Sequence, residues 1–328
     1  MEIIRWGIIG CGNVTEVKSG PAFNKVPNSK LLGVMRRNEV LLKDYATRHN
    51  VPLTFTSASA LINHPEIDAV YIATPPDVHE KFAIEALRAG KFVYVEKPMS
   101  TTVSACINMQ KVANELNGKL VVAHYRRALP LFVAVKKLLS ESYIGKINSV
   151  QITMRKLADK PENYINNWRV NKEAAGGGLF YDLAPHQLDL VFYFFENAMS
   201  YSGKAFNIGG HYLVEDTVKG EIHLENDIQF TGDWCFAIED QEEKDEFKII
   251  GSKGTISFSV FGHSLKVEKQ GNLEIFEFEP PAHIQQNHIE KVVSYFLGNG
   301  PNPCSAAEAI KSMSVMETFV YGNKNRIA

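Results

Sequence analysis

Cysteine is scarce in this chain, and its four copies, Cys11, Cys106, Cys235 and Cys304, are scattered singly. That spacing gives neither a disulfide framework nor the close pairs of a zinc site, so we read them as reduced, mostly buried thiols. An excess of one charge is also lacking: 35 Lys and Arg stand against 37 Asp and Glu, a formal net charge of -2. Nucleic acid and anionic membranes are thereby poor partners. No apolar run approaches the roughly 18 residues needed to cross a bilayer. The N-terminal MEIIRWGIIGCG has no signal-peptide core or cleavage site, and the expectation is a soluble, cytoplasmic protein. HExxH and GxSxG do not occur, which removes a zincin helix and a serine elbow. No metal site is expected.

What is present is a chain of 328 residues, 45% hydrophobic, long enough that two domains are the default. Short apolar runs alternate with amphipathic stretches over residues 1–124, the pattern of a parallel sheet with crossover helices. Strands are expected at Ile3 to Ile9, Leu31 to Met35, Ala69 to Ala73, Phe92 to Val95 and Leu120 to Ala123. Asp77 with Glu80 reads as a capping box, and Ser100 as the opening of the following helix. From about residue 145 the pattern becomes alternating strands divided by turns. Residues 125–328 are therefore read as an α+β domain with a large, mostly antiparallel open sheet. Its covering helices are expected after Gly178, in HIQQNHIEKVVSYFLG and in SAAEAIKSMSVMETFVYG.

The segment GCGNV follows the first strand directly. A glycine there permits a tight turn, and a second lets the backbone approach a pyrophosphate. Gly10, Cys11, Gly12, Asn13 and Val14 are thus cofactor-site candidates. Thr15 takes the third fingerprint position, normally a small residue. The second strand ends in Arg36 and Arg37, where an acid would grip the ribose of NAD. A guanidinium pairs with a 2'-phosphate instead, which favours NADP with NAD as the alternative. The third of these strands, Ala69 to Ala73, ends in ATPPDVH, presenting Ala73, Thr74, Pro75, Pro76 and His79. The fourth ends in VEKP, where Lys97, held between Glu96 and Pro98, is poorly placed for mere solubility; the alternative is a pair with Glu96 that only ties the edge of the sheet.

The second half carries GGGLFYDLAPHQLDL. If it is helical, Asp182 and His186 lie one turn apart on one face, and Asp189 continues that face. The surrounding apolar residues cover most of the circumference, so this stripe points into a cleft rather than bulk water. The three glycines would let the chain turn close beside a cofactor.

GCGN, ATPPDVH, AGKFVYVEKP and GGGLFYDLAPHQLD, in that order, resemble the glucose-fructose oxidoreductase, inositol dehydrogenase and MocA family over essentially the whole chain. The resemblance implies a Rossmann domain joined to an α+β domain whose open sheet serves a homodimer or homotetramer. It makes Lys97 a contact of cofactor and substrate hydroxyl, His186 the acid/base and Asp182 a substrate ligand. Trp168 and Arg169 match a WR pair near the cofactor of NADP-linked members, and Arg127 matches an arginine of unassigned role. The implied activity is NAD(P)-dependent hydride transfer to or from a secondary alcohol or ketone of a sugar, polyol or diol. Two rivals share the scaffold: a cofactor-retaining glycosidase using transient oxidation, and a non-catalytic sensor of NADP and sugar.

Overall fold

The computed structural model describes residues 2–239 and 242–322. The apolar run IRWGII forms β1 (Ile4–Ile9), which has a parallel partner on each side. With β2 (Ser29–Met35), β3 (Leu53–Phe55), β4 (Ala69–Ile72), β5 (Phe92–Val95) and β6 (Leu120–Val122) it builds a sheet in the order β3-β2-β1-β4-β5-β6. Its pairings are all parallel. Strand order reverses at the β1–β4 boundary, the switch point where open α/β sheets bind ligands beyond their carboxyl ends. Five helices join these strands: α1 (Asn13–Val17), α2 (Glu39–Arg48), α3 (Ala58–Ile62), α4 (His79–Arg88) and α5 (Val103–Glu115). Two expected caps differ. Thr102, not Ser100, accepts from Ala105 N to open α5. A 3-10 turn over Pro76–Val78 precedes α4 and displaces the expected Asp77 box, because prolines at 75 and 76 fix the entry backbone.

After α6 (Pro130–Ser140) the second sheet begins with β7 (Ile147–Leu157), followed by α7 (Lys172–Ala175) and α8 (Leu179–Phe195). It continues through β8 (Ala198–Phe206), β9 (Thr217–Leu224), β10 (Gln229–Ile238), β11 (Lys244–Gly251), β12 (Gly254–Phe258), β13 (Ser264–Lys269) and β14 (Asn272–Glu277). The order is β14-β13-β12-β11-β7-β10-β9-β8. All its ladders are antiparallel except β7–β10, whose long connection through two helices and two strands permits a crossover. Gln270 and Gly271, both with positive φ, close the β13–β14 hairpin in two residues.

The chain ends with α9 (Gln286–Phe296) and α10 (Ala306–Tyr321). Two compact units result: one runs to Leu129 and includes Pro280–Ile310, and the other holds Pro130–Glu279 and the chain from Lys311. The segment Pro280–Ile310 thus returns to the first unit. The expectation that α9 covers the antiparallel sheet is thereby corrected. Its apolar stripe, Ile289, Val292, Val293 and Phe296, enters the parallel-sheet core with Trp6 and Tyr94, and the Phe296 ring lies 5.6 Å from that of Trp6. Within the second unit, Phe319 of α10 lies over Gly203 and Gly220, which face each other on β8 and β9. A Cβ at Gly220 would lie 2.2 Å from the Phe319 ring.

Candidate active site

The first unit assembles the GCGNV, ATPP and EKP segments at the carboxyl ends of β1, β4 and β5. Gly10 has φ +92, and a Cβ there would stand 2.9 Å from Thr74 Cγ2 and 3.0 Å from the Ala73 backbone. Glycine is therefore required both for the turn and for the contact with the ATPP segment. Gly12 is different: its backbone is extended, and a Cβ would meet nothing nearer than Gly10 O at 3.9 Å. The fold itself does not demand glycine there, which leaves its backbone open to a close ligand. Asn13 and Val14 form the first turn of α1. Thr15 fits the third position without a small side chain. It is fully buried, its hydroxyl donates to Gly12 O at 2.8 Å, and its carbonyl accepts from Tyr45 at 2.9 Å.

Arg36 donates from Nη1 to the Cys11 carbonyl at 3.0 Å, laying its guanidinium along the glycine loop, while Arg37 is exposed. Burial pushes the Cys11 thiol up to about 11, so it stays protonated and neutral. Thr74 Oγ1 is buried with no partner among the described residues. His79 is also fully buried, and its ring lies between two carbonyls, Thr74 O at 2.8 Å and Pro98 O at 3.1 Å. It brackets the loop after β4 to the loop after β5, and burial lowers its pKa.

Glu96 closes β5 among buried partners. It accepts from the Tyr71 hydroxyl, from Gln285 Nε2 at 2.6 Å and from the Lys97 amide at 3.2 Å. Tyr71 and Tyr94 stack at 5.0 Å. Burial, and then the Glu96 carboxylate, raise both tyrosines well above their ordinary range, so the hydroxyls remain donors. Gln285 and its neighbour His288 were not singled out as site residues in the sequence. They have no local motif, and only the return of α9 to this unit brings them here. Arg127, also of this unit, pairs with Glu308 at the start of α10.

The second unit carries the other candidates. Asp182 lies in the first turn of α8 and His186 follows one turn later, with Pro185 inside the helix. Lacking an N–H, Pro185 cannot bond the Tyr181 carbonyl, which loosens the ladder beside Asp182. His186 is buried at 4% exposure, with the Phe261 ring edge-on at 5.7 Å. Gln187 accepts from Trp234 Nε1 at 2.6 Å, which accounts for one polar residue in an otherwise apolar stretch. Arg169 Nε reaches Asp182 Oδ2 at 2.9 Å, and its guanidinium lies over the Trp168 ring at 4.7 Å. The WR pair and the helix acid are thus one cluster.

The glycines before α8 serve a purpose the sequence reading did not anticipate. A Cβ at Gly178 would stand 2.1 Å from Glu215 O, and one at Gly177 would stand 2.4 Å from the Tyr181 ring and 2.5 Å from Glu215 Oε1. Glu215, buried ahead of β9, accepts from Gly178 N at 2.7 Å. Burial raises its pKa. Gly177 and Gly178 are packing requirements at the start of α8, and Gly176 is the left-handed cap that ends α7. Among the described residues no group of three or more His, Cys, Asp and Glu could hold a metal ion, and no helix is long and apolar enough to cross a membrane.

Residues 4–124 match the model described as "Oxidoreductase family, NAD-binding Rossmann fold". Residues 132–257 match the "GFO/IDH/MocA C-terminal domain". The chain is 44% identical over 324 residues to Oxidoreductase P35 of Formosa agariphila, covering 96% of this chain and 98% of that protein. It is 30% identical over 196 residues to an NADP(+)-linked scyllo-inositol 2-dehydrogenase of Bacillus subtilis, covering 60% of this chain and 52% of that one. A levoglucosan dehydrogenase solved with NADH and levoglucosan superposes with a TM-score of 0.85 at 21% identity, covering 96% of each chain. At that identity the likeness is one of fold.

Proposed function

This chain belongs to the GFO/IDH/MocA oxidoreductase family, NAD(P)-dependent enzymes of sugars and polyols, and on that premise we propose that it uses NADP(H) to interconvert a secondary alcohol and a ketone of a sugar, polyol or similar diol. The observation that carries this reading is the joint presence of Glu96-Lys97-Pro98 after β5 and the Asp182/His186 pair on α8. Residues 1–124 would hold the cofactor. Residues 125–328 would bind substrate and associate as a homodimer or homotetramer through the eight-stranded sheet, in the cytoplasm.

The residues present fit a dinucleotide. Gly12 leaves space at the start of α1 where a side chain would otherwise project. Arg36 lies along the glycine loop with the one charge suited to a 2'-phosphate. Thr74 offers a buried hydroxyl for which no partner is described. Gly10, Cys11, Gly12, Asn13, Val14, Arg36, Arg37, Ala73, Thr74, Pro75, Pro76, Glu96, Lys97, Trp168 and Arg169 are the residues we assign to holding it. His79 supports them by bridging the loops that follow β4 and β5.

When bound, the nicotinamide supplies or accepts the hydride. The chain must move the hydroxyl proton in the same turnover and stabilise negative charge on the carbinol oxygen. Lys97 meets the second need as an ammonium. His186 meets the first, because an imidazole can both accept and donate a proton. Asp182, held by Arg169, binds and orients a substrate hydroxyl. The test is a fluorescence titration with NADPH and NADH, repeated with sugars, ketoses and diols. Tighter NADPH binding and a nicotinamide signal that responds to a polyol or ketose are expected. Tighter NADH binding would overturn the cofactor assignment, and product formed without net change in reduced nicotinamide would indicate transient oxidation instead.

A further inference from the structure

Behind Lys97 lies a buried chain of polar groups that the chemistry above does not use. Gln285 is 1% exposed and His288 fully buried, and both lie at the start of α9. Gln285 Nε2 stands 2.6 Å from Glu96 Oε1, Tyr94 Oη stands 3.0 Å from Gln285 Oε1, and His288 Nδ1 stands 3.1 Å from Tyr94 Oη. The directions are fixed by one end. Glu96 as a carboxylate only accepts, so Gln285 turns its NH2 towards it and its carbonyl towards the Tyr94 hydroxyl. Tyr94 oxygen is then left to accept from the His288 Nδ1–H. Nε2 is the ring nitrogen without a described partner, consistent with a neutral ring protonated on Nδ1. Gln285 and Tyr71 thus donate to the carboxylate that also accepts from the Lys97 amide, while Tyr94 and His288 behind them hold the Gln285 amide in that orientation. The same segment reaches the other side of the cofactor loop. Gln285 N donates to Lys18 O at 3.1 Å, and His283 Nδ1 lies 2.7 Å from Val17 O at the end of α1.

We infer that Gln285 is a positioning residue for Lys97: it fixes the Glu96 carboxylate, which fixes the Lys97 backbone, from 189 residues further along the chain. This rests on Lys97 being the amine that meets substrate. A missing partner here leaves a buried carboxylate and a buried hydroxyl each short of a hydrogen bond, so the strand end that presents Lys97 must shift to recover them.

The test follows the Lys97 amine directly. Lysines of the full chain are reductively methylated with 13C-formaldehyde, and the Lys97 resonance is identified by its loss in Lys97→Ala. In Gln285→Met, which keeps volume but not the amide, that resonance is expected to move. With NADPH and a responsive polyol or ketose, kcat is expected to fall about tenfold or more while the NADPH Kd stays within about threefold. Gln285→Glu keeps the acceptor for Tyr94 but sets a second carboxyl against Glu96, which is also faced by Tyr71 and, at longer range, His79. Two such carboxyls share a proton. The Lys97 resonance should therefore be near its original position at low pH and displaced at high pH, which keeps the test open if the Met variant does not fold. A Lys97 resonance identical to that of the unsubstituted protein in either folded variant at every pH overturns the inference. If no polyol or ketose turns over, the functional reading falls, and the resonance still decides this one.

Discussion

Arg169 and Asp182 form an ion pair at 2.9 Å between Nε and Oδ2 in the second unit. The family resemblance implies a cofactor role for the arginine and a substrate role for the acid, and the pair would make the two roles interdependent. Both side chains are partly exposed, so the pair adds little to stability, and its value lies in orientation. Arg169→Ala, Asp182→Asn and the double variant should show coupling of about 1 kcal/mol in kcat/KM. Strictly additive losses would mean that the two act independently.

Gly10 and Gly12 should separate in their effects although they sit two residues apart. Gly10→Ala forces a side chain into left-handed backbone against Thr74 and Ala73, at a cost of about 1–3 kcal/mol. Thermal denaturation should show that loss. Gly12→Ala meets no protein atom closely, so Tm should barely change while cofactor Kd rises about tenfold or more. Equal destabilisation by both would contradict the distinction.

The features legible in the sequence were those whose physics is local. β4, buried at all four positions, reads as a continuous apolar run, and GCG needs only the preceding strand to be interpretable. β3, with three residues, and β8, with no fully buried position, lack a pattern strong enough to register. The stripe on α9 shows that the helix is buried but not against which sheet. Gly177 and Gly178 read as hinges until Glu215 is seen beside them, 37 residues from Gly178. Gln285 and His288 depend wholly on such distant contacts.

Histidine 288 should make stability depend on pH. Burial, with Arg127, His124 and Lys291 adding to it, lowers its pKa from 6.5 to about 3 in the folded chain. Between those values the unfolded chain binds a proton that the native state does not, so this contribution is full above pH 6.5 and is lost as pH falls towards 3. The slope from one group is at most about 1.4 kcal/mol per pH unit. Urea midpoints from pH 5 to 7.5 should rise with pH in the unsubstituted protein and rise less in His288→Asn. Parallel curves would show that His288 is not buried as a neutral ring.

Arg36 should set the choice of cofactor. Arg36→Asp replaces a guanidinium suited to a 2'-phosphate with an acid that repels it, and NADPH binding should weaken about 10- to 100-fold. The Cys11 carbonyl loses its donor in the same change, so NADH binding reports the cost to the loop alone. Equal weakening of both cofactors would remove the case for NADP.

The proposed reaction moves hydride between NADP(H) and a carbinol carbon with Lys97 and His186 assisting. In the most direct test, NADPH carrying deuterium in both C4 positions of the nicotinamide, so that either face delivers label, is given with the ketose that best perturbs its fluorescence. Mass spectrometry should find deuterium on the new carbinol carbon. Lys97→Met and His186→Asn should each slow its appearance at least about 100-fold while still binding NADPH. Label that never reaches the product, or full turnover by either variant, would rule that reaction out.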